Sequence, residues 1–459
     1  MARLRIQSAR HRTPRSVLLD TQPQNVDLLI EARWVLPIEP ADSCLAHHAV
    51  AVRKGRIVDL LPIAEARQRY VAGTRVELPD HLLMPGLVNT HGHAAMTLLR
   101  GYADDLPLMR WLRERIWPAE MKHAGEQFVY DGTLLACAEM LRGGITCTND
   151  MYFYPDAAAR AFDRAGMRAL VGMIAIDFPT AYASDAADYL AKGLATRDLW
   201  RKHERIGFAL APHAPYTASD ATLAQVGLLA AQLDLPVHIH VHETAGEIEQ
   251  SMQEHGVRPL VRLARLELLG PQLIGVHAVH CNVQDIELLA RHACHVAHCP
   301  TSNMKLASGI APIAQMQDAG INVGLGTDGA ASNNRLDLFQ EMRHAALLGK
   351  VAHCDAAKLP AHRVVQMATL DGARALGVDR HIGSIRAGKY ADLCAVNFAS
   401  AHLQPVYDPA SHLVYVAGRD DVSHVWIQGE ALVENGKLLR MSNESMLALT
   451  SVWHNALSA

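Results

Sequence analysis

The sequence predicts an α/β protein: a (β/α)8 barrel of the TIM type, with a small β-sandwich domain built from the N- and C-terminal segments. Three observations support this fold class. Residues 83–379 alternate short apolar runs with helical stretches, which is typical of β-α units and a parallel sheet. Residues 26–82 and 380–440 instead contain short strands and tight turns. Histidine and carboxylate side chains follow the apolar runs in order, as at the carboxyl end of a barrel.

The composition indicates a protein that acts on a small molecule. Half of the 459 residues are hydrophobic, enough for one large core and a smaller one. The net charge is only −4, aromatic residues make up 5%, and no Lys/Arg stripe is present, so nucleic-acid binding is not expected. No run of about 18 apolar residues could span a membrane.

The two ends of the chain and the cysteines bear on the cellular compartment of the protein. Eight cysteines are scattered without a CxxC pair, and no apolar signal-peptide block begins the chain, so we expect reduced thiols and a cytoplasmic protein. Residues 1–25 contain five arginines and no acidic residue before Asp20. We interpret them as a disordered basic tail rather than a transit peptide. Residues 441–459 are expected to form a C-terminal helix.

The small β domain is predicted from strands at both ends of the chain. Near the N-terminus these are residues 28–36, 49–53 and 56–60, with a turn at Lys54-Gly55. Near the C-terminus they are residues 391–396, 422–427 and 431–433, and Asn435-Gly436 supplies a tight hairpin turn.

Eight barrel strands are predicted in the middle of the chain: residues 83–88, 145–148, 169–176, 206–210, 237–241, 273–276, 295–297 and 323–325. Helical stretches between them include residues 125–142 and 338–348. No GxGxxG opens any unit, and eight units in this length fit a barrel better than an open doubly wound sheet.

The first barrel strand ends in two histidines that could bind one metal ion. In an extended chain, His91 and His93 point to the same face, and neutral imidazole is a common ligand of divalent metals. An HxH pair alone is weak support, because most such pairs are surface or hydrogen-bonded histidines. Partners are expected downstream, and residues of the right type follow the later strands: His213, His240, Glu243, His277, His298 and Asp328.

The fifth strand offers three candidate ligands on one face, His238, His240 and His242. The residue nearest the strand's end should reach the barrel mouth, which favours His240 or His242, while His238 is expected in a deeper layer. The alternation leaves the choice between His240 and His242 open.

Four motifs resemble the amidohydrolase superfamily: Pro-Gly-Leu-Val-Asn-Thr-His-Gly-His at 85–93, His-Val-His-Glu-Thr-Ala-Gly-Glu at 240–247, Leu-Gly-Thr-Asp-Gly-Ala-Ala-Ser-Asn-Asn at 325–334 and Gly-Ser-Ile-Arg-Ala-Gly-Lys-Tyr-Ala-Asp-Leu at 383–393. Residues 94–105 and Ile-Trp-Pro-Ala-Glu at 116–120 are similar to the 5′-methylthioadenosine/S-adenosylhomocysteine deaminases. The resemblance covers nearly everything after residue 27.

This resemblance implies a role for each matching residue. It makes one divalent ion, usually zinc, the cofactor, with four ligands: His91, His93, His240 and Asp328. Glu243 would shuttle protons, His277 would be catalytic, and Asp328 would accept the proton of the attacking water. Substrate would be bound by Glu120 at the ribose hydroxyls and His213 at the purine, with Glu243 and Asp328 beside it. His280 and His298 are interpreted as structural, and a homodimer or larger homo-oligomer is expected.

The expected activity is hydrolytic deamination of an adenine nucleoside. Other amidohydrolase activities would use the same metal set, namely guanine or cytosine deaminase or chlorotriazine hydrolase. Glu120 favours a nucleoside deaminase over these alternatives, because a free base has no ribose diol for it to bind. A barrel that had lost catalysis and served as an assembly protein would be expected to lack some of the metal-ligating residues, and none of them is missing from the sequence.

The preferred substrate is expected to be 5′-methylthioadenosine, with adenosine and S-adenosylhomocysteine as further candidates. Residues 172–184, after the third strand, contain no Arg or Lys that could bind an amino-acid carboxylate. Met173, Ile176 and Phe178 would instead suit a methylthio group. The alternative is that these residues only cap the barrel, and that an arginine from elsewhere or from a partner subunit reaches the pocket.

Overall fold

The computed structural model describes residues 22–458. The basic tail expected over 1–25 therefore lies outside the described residues except for 22–25, of which Gln24 and Asn25 already pair with Tyr70 and Val71. The strands are β1 (Gln24–Val35), β2 (Leu45–Arg53), β3 (Arg56–Pro62), β4 (Tyr70–Pro85), β5 (Leu87–Gly92), β6 (Ile145–Tyr152), β7 (Arg168–Ala175), β8 (Ile206–Pro212), β9 (Val237–Val241), β10 (Leu273–His277), β11 (His295–His298), β12 (Asn322–Leu325), β13 (Leu393–Asn397), β14 (Val422–Ile427), β15 (Glu430–Glu434) and β16 (Lys437–Leu438).

The α-helices are α1 (Ile63–Arg69), α2 (Leu108–Trp111), α3 (Trp117–His123), α4 (Glu126–Arg142), α5 (Pro155–Ala165), α6 (Ala186–Trp200), α7 (Asp220–Leu233), α8 (Ala245–His255), α9 (Pro259–Arg265), α10 (Val283–Arg291), α11 (Pro300–Lys305), α12 (Ile313–Asp318), α13 (Ala330–Asn333), α14 (Leu338–His353), α15 (Ala361–Met367), α16 (Leu370–Ala375), α17 (Pro409–Tyr415) and α18 (Asn443–Ser458). Short 3₁₀ helices span Ala94–Leu99, Ala401–Leu403 and Arg419–Asp421, and a π-helix spans Leu112–Ile116.

Strands β5 to β12 form a parallel eight-stranded sheet in chain order, which confirms the predicted (β/α)8 barrel. The first and last strands meet where the N–H of Asp328 donates to the carbonyl of His91 at 3.0 Å. Residues of β6, β7 and β9 are buried throughout, as expected for strands covered on both sides. Closure brings the residues after β12 beside the end of β5.

The start of the barrel differs from the prediction. Residues 83–85 belong to β4 of the small domain, and the first barrel strand begins at Leu87. Gly86 separates the two, and a Cβ there would lie only 2.1 Å from the Thr146 hydroxyl oxygen. A glycine is therefore needed for β5 to pack against β6, and His91 lies inside the strand rather than after it.

The predicted small β domain is a mixed eight-stranded sheet with the order β16-β15-β14-β13-β4-β1-β2-β3. Strands from both ends of the chain meet where β4 pairs with β13, and buried Leu83, Leu393 and Trp426 belong to the same core cluster. Helix α18 forms where a C-terminal helix was predicted, and Trp453 packs edge-on against Phe128 of α4 at 5.2 Å. Among residues 22–458, no helix combines the length and apolar character needed to cross a membrane.

Candidate metal centre and active site

Four predicted ligands converge at the carboxyl end of the barrel. The Asp328 Oδ1 lies 3.2 Å from the His91 Nε2 and 3.3 Å from the His93 Nε2. The His240 Nε2 lies 3.2 Å from the His91 Nε2. Tetrahedral zinc with bonds of 2.0–2.1 Å would separate its ligand atoms by about 3.3 Å. These side chains are spaced as ligands of one small divalent ion would be.

The second nitrogens of two imidazoles fix which nitrogen faces the centre. The Nδ1–H of His93 donates to the Met151 carbonyl at 2.6 Å, and that of His240 donates to the His213 carbonyl at 2.7 Å. Each Nε2 is then left with a free lone pair that points at the other ligands. The tautomers of these imidazoles, as well as the spacing of their Nε2 atoms, are therefore those that a metal ion requires.

The third imidazole, His91, is supported by another histidine. Its Nδ1 lies 2.9 Å from the Nε2 of His238, and both rings are fully buried. Burial lowers the pKa of His91 to about 4, so the ring is neutral and able to bind a metal near pH 7. The expectation that His238 fills a deeper layer agrees with this position.

The carboxylate of Asp328 is held by several donors. Its Oδ2 accepts from the Ser302 hydroxyl at 2.6 Å, and its Oδ1 accepts from the Gly329 N–H at 2.7 Å. Burial would raise the pKa of Asp328, but the hydrogen bond and charge of His91, with the charge of His93, hold it well below the usual value. The group is an anion at neutral pH.

The choice left open on the fifth strand is decided by the backbone. Strand β9 ends at Val241, and His242 takes a left-handed φ of 55°, which turns it away from His240. Its Nε2 accepts from the Leu260 N–H at 3.1 Å, and its Nδ1 lies 3.5 Å from the Asp285 carboxylate. Of the two candidates, His240 is the one beside the other ligands.

Two further predicted residues lie beside the centre. The Nε2 of His277 is 3.8 Å from the Glu243 carboxylate, and its Nδ1 is 2.8 Å from the Asn303 Oδ1. Burial raises the pKa of Glu243, which favours the protonated acid. Glu247, whose role was not predicted, accepts from the N–H groups of His242 and Glu243 at 2.9 and 2.8 Å. It thereby fixes the backbone that carries Glu243.

A cavity of about 480 Å³ opens from this centre. Glu120 of α3 lines it and accepts from the Tyr152 hydroxyl at 2.7 Å. Burial raises the pKa of Glu120 to about 7, although the Tyr152 hydrogen bond opposes the shift. His213 also lines the cavity, with its ring 4.9 Å from that of His240. The remaining walls are mostly apolar and aromatic.

Two of the three residues expected to contact a methylthio group line the cavity, Ile176 and Phe178. The expectation for Met173 is wrong: it is buried on the other side of β7, where it packs against Gly193 of α6. Residue 173 has the opposite strand parity to Ile174, which takes its place in the wall.

Within the described residues, neither of the two histidines interpreted as structural belongs to a group spaced to hold a metal ion. The Nε2 of His280 donates to the Ser308 carbonyl at 2.8 Å. His298 is buried, and burial lowers its pKa to about 3. Sequence reasoning missed Ser302, Asn303, Tyr152 and Glu247 as supporting residues; only Glu247 lay within a motif that could have indicated it.

Comparison with known proteins identifies the relatives of this chain. Residues 82–432 match the amidohydrolase family. A 5-methylthioadenosine/S-adenosylhomocysteine deaminase from Teredinibacter turnerae is 46% identical over 439 residues, covering 96% of this chain and 99% of the relative. A 5′-deoxyadenosine deaminase from Methanothermobacter thermautotrophicus is 43% identical over 401 residues, covering 87% and 92%. The crystal structure of an adenosine deaminase from Xanthomonas campestris with bound zinc is 49% identical, with a TM-score of 0.94, covering 95% of this chain and all of that one.

Proposed function

The chain belongs to the amidohydrolase family, and on that basis we propose that it is a zinc-dependent deaminase of adenine nucleosides, with 5′-methylthioadenosine as the first candidate substrate. The products would be 5′-methylthioinosine and ammonia. Adenosine and S-adenosylhomocysteine are further candidates. The observation that carries the proposal is the convergence of three imidazole Nε2 atoms and the Asp328 carboxylate beside a cavity that is lined by His93, His240, Asp328 and Glu120.

The proposed ligands are His91, His93, His240 and Asp328, with one divalent ion per chain. When bound, such an ion lowers the pKa of water from 15.7 to about 7 and so supplies hydroxide near neutral pH. Asp328 is an anion on the wall of the cavity, and it is the proposed acceptor of the proton that the attacking water loses. Its other oxygen, Oδ2, accepts a hydrogen bond from the Ser302 hydroxyl.

Glu243 is the proposed proton donor to the purine. Attack at C6 places negative charge on N1, which a protonated carboxyl can neutralise. Burial favours this acid form, and Glu247 holds the backbone of Glu243 in place. His277 faces the same space and is proposed to stabilise the tetrahedral centre, with its ring orientation set by Asn303. The proton that Asp328 accepted from water then passes to the leaving amine as the C6–N bond breaks and ammonia leaves, and the proton of the new C6 hydroxyl restores the acid form of Glu243.

Glu120 and His213 are the proposed substrate contacts. A carboxylate can accept hydrogen bonds from both hydroxyls of a ribose, and Glu120 already accepts one from Tyr152. His213 is expected to contact the purine beside His240. A deaminase of guanine or cytosine, or a chlorotriazine hydrolase, would gain nothing from Glu120 because its substrate carries no diol.

The test is to incubate the metal-replete protein with adenosine, methylthioadenosine, S-adenosylhomocysteine, guanine, cytosine and a chlorotriazine. Ultraviolet spectra and ammonia release would be followed. We expect turnover of the nucleosides and none of the free bases or the triazine. Turnover of a free base or of the triazine, with no turnover of any nucleoside, would overturn the proposal.

A cytoplasmic location and a homodimer or larger assembly are also proposed. The first is supported by eight free cysteines, five of them buried, since reduced thiols persist in a reducing compartment. Gel filtration with light scattering would measure the assembly.

A further inference from the structure

Glu341 is a fully buried carboxyl group that no step of the proposed reaction uses. It lies in the first turn of α14, and within residues 22–458 no side-chain nitrogen of an arginine, lysine or histidine lies within 4.0 Å of it. Its Oε2 instead accepts from the Thr301 backbone N–H at 3.0 Å, and its Oε1 accepts from the Asn333 Nδ2 at 2.8 Å. Burying a carboxyl group without a cation is unfavourable, so its place in the site depends on what these two hydrogen bonds hold.

The first contact fixes the start of α11, a helix of only six residues, Pro300–Lys305. So short a helix has little stability of its own, and its position depends on contacts from outside. The N–H of Thr301 lies in the first turn, where an α-helix provides no acceptor, and Glu341 supplies one from α14. The carboxyl group thus determines where α11 begins relative to α14.

The two residues after Thr301 connect this helix to the site. The Ser302 hydroxyl donates to the Asp328 Oδ2 at 2.6 Å. The Asn303 Oδ1 lies 2.8 Å from the His277 Nδ1. All four of these residues are buried, so solvent cannot replace a lost contact. A displacement of α11 would therefore reach both Asp328 and His277.

The second contact acts on the peptide group that precedes Asp328. The Nδ2 of Asn333 donates to the Thr327 carbonyl at 2.6 Å as well as to Glu341, so both of its hydrogens are used. On the other side of that peptide group, the N–H of Asp328 donates to the His91 carbonyl at 3.0 Å. Asp328 has a left-handed φ of 61°, which is unfavourable for a residue with a side chain. The two hydrogen bonds hold the backbone in this conformation.

An amide cannot replace the carboxyl group of Glu341, because both oxygens face donors. Glu341→Gln would retain one acceptor and turn an NH2 group towards the other donor. Rotation of the Asn333 amide would not relieve this, since its oxygen would then face the Thr327 carbonyl. One of the two loops would therefore lose its contact and leave a buried donor unpaired.

We propose that Glu341 is a positioning residue of the active site. By binding Thr301 and Asn333 together, it holds the loops after β11 and β12 relative to each other. That relation sets how Asp328 and His277 face the reacting atoms, although Glu341 itself does not line the cavity. This inference rests on the proposed deaminase function for its kinetic readout, whereas its zinc readout does not depend on which substrate is turned over.

The first experiment compares wild type, Glu341→Gln and Glu31→Gln. Glu31 is the matched control because it is a buried glutamate of the small β domain, where it pairs with Arg67. In Glu341→Gln, we expect zinc affinity to fall by about 10-fold, and kcat for methylthioadenosine at saturating zinc by about 10- to 100-fold. KM should stay within about twofold, because the proposed substrate contacts lie on other loops. Glu31→Gln should leave all three quantities within about twofold of wild type, although it lowers Tm.

A double-mutant cycle separates positioning from general stability. If Glu341 acts through α11, Glu341→Gln combined with Ser302→Ala should lower zinc affinity by less than the product of the two single losses. Combined with Asn303→Ala, it should lower kcat by less than the corresponding product. Losses that multiply in both pairs would overturn the assignment, because they would show that Glu341 acts independently of α11. Zinc affinity and kcat within about twofold of wild type in Glu341→Gln would overturn it as well.

Asn333→Ala keeps the test decisive if Glu341→Gln does not fold. It removes the link between Glu341 and the Thr327 carbonyl but leaves the Thr301 contact in place. Zinc affinity, measured by competition with a chelator, should fall by about 10-fold. Unchanged affinity in this variant would overturn the assignment. Wild type that binds zinc but deaminates no adenine nucleoside would overturn the proposed function, and the zinc measurements would then decide the role of Glu341.

Discussion

The Nδ1 of His277 lies 2.8 Å from the Oδ1 of Asn303, and the residue before Asn303 donates its hydroxyl to Asp328. Both contacts come from α11, which follows β11. One short helix thus orients two side chains of the site that are carried by different strands. Since Ser302 and Asn303 are buried, their loss would not be compensated by solvent.

Asn303→Ala should impair turnover without removing metal. The His277 ring would lose the acceptor that fixes its tautomer, so kcat should fall by about 10- to 100-fold. KM and bound metal should stay near wild type, because Asn303 does not itself line the cavity and its side chain hydrogen-bonds to His277 rather than to a proposed metal ligand. Steady-state kinetics and elemental analysis measure these quantities. Loss of metal together with activity would instead show a general disturbance of the site.

Ser302→Ala should act on the metal rather than on His277. The Asp328 Oδ2 would lose its 2.6 Å donor, so the carboxylate would be held less firmly. We expect metal affinity to fall by about 10- to 100-fold. Competition with a chromophoric chelator gives the affinity, and activity should return at saturating zinc. Unchanged affinity would mean that Gly329 alone positions the carboxylate.

Removal of the metal should abolish activity and lower thermal stability. Without an ion, two buried imidazoles, one partly buried imidazole and a carboxylate remain within 3.2–3.3 Å contacts. A ligand that binds only the folded state stabilises it, so chelator-treated protein should melt several degrees lower and regain its Tm with zinc. Elemental analysis should find one ion per chain. Active protein without stoichiometric metal would contradict the proposed ligand set.

The order of the site residues along the chain was predictable, but their supporting contacts were not. Strand alternation placed His91 and His93 together, yet it could not separate His240 from His242, because the distinction depends on a φ of 55° beyond the end of β9. The alternation of side chains along β7 would have excluded Met173 from the cavity wall, because residues 173 and 176 point to opposite faces of the strand.

Glu243→Gln should leave metal bound and reduce turnover by at least about 10²-fold. The amide keeps the shape of the side chain but has no acidic proton to give to N1 of the purine. Elemental analysis and kcat for methylthioadenosine are the measurements. Glu247→Gln is an informative companion: it retains one acceptor for the two N–H groups that Glu247 binds, so its loss in kcat should be smaller. Near-normal kcat in Glu243→Gln would place the proton donor elsewhere.

Glu120 should make ribose recognition depend on pH near neutrality. Burial raises the pKa of its carboxyl to about 7, so the ionised acceptor form predominates above that pH and is lost as pH falls through it. The ratio of kcat/KM for adenosine to that for 2′,3′-dideoxyadenosine should therefore rise with pH around 7, and this ratio cancels titrations that affect both substrates. Glu120→Gln should make the ratio low and flat. Tyr152→Phe should move the inflection to higher pH, because the Tyr152 hydrogen bond lowers the pKa. A flat ratio in wild type would show that Glu120 does not bind the diol.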